Sequence, residues 1–263
     1  MIDTHCHLNI DRIYEKIELV LKEAKEANVN KIIVPGFDLE SSKLALEIAK
    51  KYDNCYAAIG FHPTEIKGYD EEYAWLEMAA KEDCVVAIGE CGFDFHWDTT
   101  TKEEQIEAFI KQIEIAKRVK KPLIIHAREA NQITFDTLKK HDASVVGGVL
   151  HAYAGSLELA KEYTKMNFCF GIGGVITFKN ASSLPSVVKE IDLKYLITET
   201  DSPYITPVPF RGKENAPKYI PYIVEKIASI KEIDQEEVVK QVQQKYEKLF
   251  PFPNLCLKYT TYL

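Results

Sequence analysis

Ile2-Asp3-Thr4-His5-Cys6-His7 begins as a short apolar strand and ends on two imidazoles. Four later stretches repeat the form: Val85-Val86-Ala87-Ile88-Gly89-Glu90, Leu123-Ile124-Ile125-His126, residues 145–151 ending in His151, and residues 195–201 ending in Asp201. Each is a β-rich run that closes on a side chain able to ligate a metal. A parallel barrel gathers the C-terminal ends of its strands at one mouth. Four histidines, one glutamate and one aspartate would meet there, enough donors for two divalent cations. The pattern predicts an α/β chain folded as a (β/α)8 TIM barrel, with the metal site at the C-terminal ends of the strands.

Outward from these blocks, short β-rich runs alternate with longer amphipathic segments. The strand candidates are residues 2–7, 31–35, 56–61, 85–90, 123–126, 145–151, 168–172 and 195–200. Helix candidates are 11–27, 41–51, 71–81, 102–120, 131–140, 157–165 and 182–190, with 218–230 and 235–250 after the last strand. In the first, Ile13, Ile17, Val20, Leu21 and Ala24 form one stripe. Asp11, Ser41, Asp70 and Ser156 stand where helix N-caps are expected. Eight strands favour closure over an open sheet, and 263 residues suit one barrel of ~250 residues. Residues 1–263 therefore read as a single domain. The proline-rich stretch 202–217 is long for a loop without a task.

Composition narrows the partners. Hydrophobic content of 46% and charged content of 28% are those of a globular chain. A net charge of −7, from 33 basic and 40 acidic residues, argues against a broadly basic nucleic-acid surface. It leaves room for a local one, because cations at the site carry positive charge themselves. Cys6, Cys55, Cys84, Cys91, Cys169 and Cys256 form no CxxC pair, and buried free thiols are expected. No signal peptide is expected before the first strand, and no apolar run approaches the ~20 residues of a membrane span. The expectation is a cytoplasmic protein in a reducing compartment. It is expected to be monomeric, with no membrane association and no obligate protein partner.

In a strand, residues two apart share a side, so His5 and His7 face the interior together while Cys6 faces the helices. Two satisfied core histidines would give the same pattern. Glu90 ends an apolar run where an unpaired carboxylate is costly to bury, and its two oxygens suit it to bridge two cations. His126 and His151 each close an apolar run. A lone histidine there is more often a hydrogen-bonded core residue, but two in register with His5, His7 and Glu90 reverse that reading. Asp201 can ligate one metal and accept a proton from water with its other oxygen. Glu199, one layer deeper, suits either an outer partner to a ligand or a structural acceptor.

Taken together, His5-Cys6-His7-Leu8, GECGFDFH (89–96), His126-Ala127-Arg128-Glu129-Ala130, His151-Ala152-Tyr153-Ala154-Gly155, ETDSPY (199–204) and the loop 207–217 resemble the TatD family of metal-dependent hydrolases. The resemblance runs through the whole chain in order. It implies a TIM-barrel metallohydrolase, often described as a deoxyribonuclease that removes nucleotides from DNA 3′ ends. It also implies one metal on His5, His7, Glu90 and Asp201 and a second on Glu90, His126 and His151. Three departures stand out. Thr64 replaces a frequent second histidine after His62, Ala152-Tyr153-Ala154 replaces the usual residues after His151, and Lys245 replaces an asparagine near the end.

Two cations about 3.5–4 Å apart would clamp attacking and leaving oxygens and activate water. The expected nucleophile is a metal-bound hydroxide, with Asp201 as general base. Four imidazoles suit Zn, Mn, Fe, Co or Ni, while the resemblance points to Mg. His62, Arg128 and Arg211 are substrate-binding candidates, the arginines for phosphate, with surface salt bridging as the plain alternative. Trp97, Tyr153, Tyr204 and Phe210 could stack on bases or simply pack beneath loops. The leading expectation is a 3′–5′ exonuclease acting on single-stranded DNA or 3′ ends. A deacylase or amidohydrolase acting on aminoacyl-tRNA or a small molecule uses the same chemistry. A non-catalytic metal-binding protein is a third reading, disfavoured because a structural zinc site is usually cysteine-rich.

Overall fold

Alternate residues along the strands enter two different cores. Ile33, Tyr56, Ala58, Ile124, Val149, Cys169 and Ile197 pack together inside the sheet. Their neighbours Ile32, Val34, Cys55, Ala57, Leu123, Ile125, Leu150, Phe168 and Leu196 pack outward beneath the helices. This two-residue period on both sides of one sheet is what a barrel requires.

The computed structural model describes residues 1–66, 70–181 and 183–252. The strands are β1 (Ile2–Asp3), β2 (Lys31–Pro35), β3 (Cys55–Ile59), β4 (Val85–Asp94), β5 (Leu123–Arg128), β6 (Gly148–Leu150), β7 (Phe168–Ile172) and β8 (Leu196–Thr198). They lie in sequence order, and each neighbouring pair is parallel. The ends meet through Thr4 N–H to Thr198 O (3.1 Å), Asp201 N–H to His5 O (2.8 Å) and His7 N–H to Ser202 O (2.9 Å). The eight strands form the expected (β/α)8 TIM barrel. Tyr246 of the last helix, Gln235–Leu249, and Phe250 just after it join the inner core, with Phe252 packed against it, near Tyr56.

Several element ends differ from the sequence reading. The first strand keeps only two residues because the chain turns at Asp3, which accepts from the Thr200 N–H and hydroxyl. The fourth runs on to Asp94 because its second half pairs with β5 after a register shift between Ile88 and Cys91. The helix expected over 11–27 is two helices, Asp11–Tyr14 and Ile17–Glu26, and the full apolar stripe is buried across both. Asp11 lies inside its helix, and Ser41 is the third residue of a capping box whose N-cap is Asp38. Ser156 does cap its helix, accepting from Leu159 N–H at 3.2 Å. Asp70 opens the helix Asp70–Ala79. Cys6, Cys55, Cys84, Cys91 and Cys169 are buried, while Cys256 and the expected helix start at Ser182 lie outside the described residues.

The loop after β8 is pinned from within. Buried Asn215 donates to Thr200 O (2.8 Å) and Tyr204 O (2.6 Å), and Ser202 Oγ donates to Asn215 O (2.6 Å). Asn215→Ala should leave both carbonyls without their donor. The expected cost is roughly 2–3 kcal/mol, read as a fall of about 5–10 °C in melting temperature. An unchanged melting curve would show that the loop is held by other contacts.

Candidate metal centre

Glu90 reaches the barrel mouth through a break in strand alternation. Ile88 and Cys91 both belong to the outer core, so the inward parity changes between them. Gly89 makes the change with φ +149°, and a Cβ there would stand 2.4 Å from the Ile124 carbonyl oxygen. A side chain at position 89 is therefore excluded both by conformation and by space. His126 and His151 need no such device, since they continue the inward series Ile124–His126 and Val149–His151.

Four donor atoms converge on one side of Glu90. His5 Nε2 lies 3.2 Å from His7 Nε2, 3.2 Å from Glu90 Oε2 and 3.9 Å from Asp201 Oδ1. His7 Nε2 lies 3.8 Å from the same Glu90 oxygen and 3.6 Å from the same Asp201 oxygen. A cation with ligands at roughly 2.0–2.2 Å sets tetrahedral ligand separations of about 3.3–3.6 Å, so the donor set fits such an ion. Asp201 is turned inward from a left-handed backbone, φ +56°.

The other Glu90 oxygen faces a second group. Oε1 lies 2.9 Å from His126 Nδ1, 3.7 Å from His151 Nε2 and 3.8 Å from His62 Nε2. Outer carboxylates hold these rings. Asp94 Oδ2 is 2.8 Å from His126 Nε2, and Glu199 Oε1 is 3.1 Å from His151 Nδ1 and accepts the Ala152 N–H. His62 Nδ1 is 2.7 Å from the hydroxyl of Thr64, the residue that departs from the family pattern. Glu90, His126 and His151 form one possible ligand group, and His5, His7 and Glu90 another. His62, Asp94 and His126 also come together, as do His5, His151 and Glu199.

The electrostatics follow from burial opposed by charge. Burial works to raise the Glu90 pKa, but His5 and His151 and the bond from His126 hold it well below the usual carboxylate range. Burial works to lower His151, yet the Glu199, Glu90 and Asp201 carboxylates hold it up at about 10. Burial, with His5 beside it, pushes His7 down to about 3, and burial brings His62 to about 4. Asp201 is raised by burial. Burial works to raise Asp94, but the bond and charge of His126 together with the His96 and Trp97 N–H groups bring it down to about 2. In metal-free protein His151 is therefore protonated at neutral pH, and a ligating nitrogen must be neutral. Metal uptake at pH 7 should release about one proton or more per protein, and affinity should weaken as pH falls. Titration in weakly buffered solution with a pH indicator checks this; uptake without proton release would contradict it.

The donors lie at the base of a cavity of about 1000 Å³, lined also by Phe37, Trp97, Arg128, Glu129 and Tyr204. His62 and Arg128 face it, whereas Arg211 lies over the Phe178 ring and is not part of its lining. Trp97 and Tyr204 are exposed at the mouth, but Tyr153 is buried and Phe210 is packed against Tyr219 and Tyr222. The sequence reading gave no role to Asp3, a fully buried carboxylate that ties β1 to Thr200 beneath His5. Its signal was available: an aspartate inside an apolar run two residues before a ligand-type histidine.

The family model described as TatD related DNase matches residues 2–251. The chain belongs to the TatD family. This TatD-family chain is 44% identical to the uncharacterized metal-dependent hydrolase YabD of Bacillus subtilis, over 95% of this chain and 98% of that one. It is 32% identical to the similarly described YcfH of Escherichia coli, over 95% of each. Among solved structures, the TatD homologue YjjV of Escherichia coli superposes with a TM-score of 0.91 at 32% identity, covering 96% of this chain and 98% of that one. A TatD-family hydrolase of Entamoeba histolytica superposes at 0.83, with 25% identity and 95% and 97% covered. This TatD-family protein is a metal-dependent hydrolase, with His, Glu and Asp groups that could hold metal ions. No helix among its described residues is long and apolar enough to cross a membrane.

Proposed function

We propose that residues 1–263 form one domain acting as a two-metal deoxyribonuclease of the 3′–5′ exonuclease type. The observation that carries the reading is Glu90, whose two oxygens face two separate donor groups at the floor of one cavity. His5, His7, Glu90 and Asp201 hold one cation, and Glu90, His126 and His151 hold the other. The metals are drawn from Zn, Mn, Mg, Fe, Co and Ni. When bound, the pair neutralises charge on the scissile phosphodiester and lowers the pKa of water. Asp201 accepts the proton of the attacking water. Glu90 holds the two donor groups in register, while Asp94 and Glu199 keep the His126 and His151 rings from turning. His62 and Arg128 contact the scissile phosphate, and Arg211 meets the strand farther out. The family's description as DNases supports DNA, single-stranded or at 3′ ends, as substrate. The buried thiols of Cys6, Cys91 and Cys169 support a cytoplasmic protein, which acts as a monomer without a membrane or an obligate partner.

A deacylase or amidohydrolase reading draws on Glu65 and Glu129, two carboxylates that line the same cavity and would favour a substrate bearing an ammonium group. One experiment separates the two. Metal-stripped protein resupplied with Mg, Mn or Zn is incubated with 3′-labelled single-stranded DNA. Metal-dependent release of mononucleotides supports the exonuclease. No cleavage by protein shown to be metal-loaded overturns it in favour of ester or amide substrates.

A further inference from the structure

The chain has four arginines, and their surroundings divide them. Arg118, on the helix Lys102–Val119, donates to both oxygens of Glu77, from Nε at 2.9 Å and from Nη2 at 2.8 Å. Among the described residues, none of the other three is paired with a carboxylate. Each instead lies over an aromatic ring: Arg128 over Trp97 at 5.7 Å, Arg12 over Tyr204 at 5.5 Å and Arg211 over Phe178 at 4.1 Å. All three follow the C-terminal end of a strand. Arg128 ends β5, Arg12 sits in the helix Asp11–Tyr14 after β1, and Arg211 is in the loop after β8. They therefore share the barrel face that carries the metal-type donors.

Two of these pairs are tied to the two donor groups. The Tyr204 ring centre is 6.4 Å from that of His7, in the first group. Trp97 donates its backbone N–H to Asp94 Oδ1 at 3.1 Å, and the other Asp94 oxygen meets His126 of the second group. Trp97 is 55% exposed and Tyr204 49%, so each has ring surface open to a ligand. Both line the cavity, as does Arg128. Glu129, on the same wall, is engaged by His96 at 2.8 Å.

A guanidinium lying over a ring without a carboxylate partner keeps its donors free, and that planar fork matches phosphate oxygens. An exposed ring face beside it accepts any base, because every base has a π-face. Phosphate and base in alternation are what a single strand presents. Duplex bases are already stacked on one another and offer no face to Trp97 or Tyr204. A small ester or amide would engage one such pair at most.

We propose that these arginine–aromatic pairs form a track for single-stranded DNA. Trp97 with Arg128 holds the nucleotide on one side of the scissile phosphate, and Tyr204 with Arg12 holds the nucleotide on the other. Arg211 on Phe178 is an outer phosphate contact. The track rests on the deoxyribonuclease reading and adds to it Arg12 and the pairing of each arginine with an aromatic ring.

The test uses full-length, metal-loaded protein carrying Asp201→Asn, so that the strand is bound but not cut. A short oligothymidylate is titrated in while tryptophan emission is followed, and binding is repeated across a salt series. Emission should be quenched, and the quenching should vanish with Trp97→Leu. Trp97→Leu and Tyr204→Leu should each weaken binding roughly tenfold, the loss expected for one base–aromatic stack. Arg12→Gln and Arg128→Gln should each flatten the slope of log K against log salt by about 0.7, the value for one single-strand phosphate contact. Arg118→Gln, on its salt bridge away from the mouth, should leave the slope as it was. A duplex of the same length should bind more weakly than the single strand. If the parent enzyme cuts DNA but all four mouth variants bind with unchanged affinity and slope, the track is wrong and the nuclease reading stands. If the metal-loaded parent neither binds nor cuts DNA, both are wrong.

Discussion

Replacing Asp201 by asparagine is expected to lower kcat by at least about a hundredfold, the lower end of what a positioned general base contributes, while much of the bound metal remains. The carboxylate stands 3.6 Å from His7 Nε2 and 3.9 Å from His5 Nε2, at the edge of a donor group that keeps His5, His7 and Glu90 without it. Burial raises its pKa, which makes it a better proton acceptor than an exposed aspartate. Asparagine preserves volume and an oxygen that can ligate, but its oxygen is no base near neutral pH. Metal analysis and turnover on the same preparation separate the two roles. Full activity would remove Asp201 from proton transfer, and loss of all metal would make it chiefly a ligand.

Glu90→Gln should have the larger effect, because one substitution reaches both donor groups. The carboxylate presents Oε2 to His5 and His7 and Oε1 to His126, His151 and His62. Glutamine offers one oxygen and turns an NH2 toward the other group, and it removes the negative charge that sits among five imidazoles. The expected result is loss of at least half the bound metal and activity below about 1% of the parent, beyond the 10–100-fold that losing a mere outer partner costs. If metal content and activity both survive, Glu90 bridges nothing and the two groups work independently. Asp94→Asn makes a useful comparison, since Asp94 holds the His126 ring and the His96 and Trp97 N–H groups but lies outside both proposed ligand sets. It should cost about tenfold in metal affinity and leave one group untouched.

These expectations draw on features that the chain shows to different degrees. The strand order and barrel class were legible because each strand carries its own two-residue alternation and each helix its own stripe, patterns that survive without any neighbour. His126 and His151 were legible for the same reason, since each simply extends an inward series. Glu90 was legible as a residue type but not as a position. By alternation from Ile88 it would face outward, and the backbone changes direction at Gly89, where φ is +149°. His5 and His7 pose the same problem: Ile2 lies in the inner core and Cys6 in the outer one, so the chain slips parity between them. The strand ends were misplaced where such slips fall, at Asp3 and between Ile88 and Cys91.

The sequence by itself determined the class of fold, the order of its strands and the chemical kinds of the donors, because these depend on local periodicity and on side-chain type. Only the tertiary structure decided which donors share a centre, that Asp94 and Glu199 hold two of the rings, and that Arg12 comes to lie beside Tyr204 across nearly two hundred residues of chain. The physical reason is closure. Joining β8 to β1 through the Thr4, His5 and His7 backbone bonds brings the first and last strand ends together, and no stretch of sequence records a contact made by its two ends.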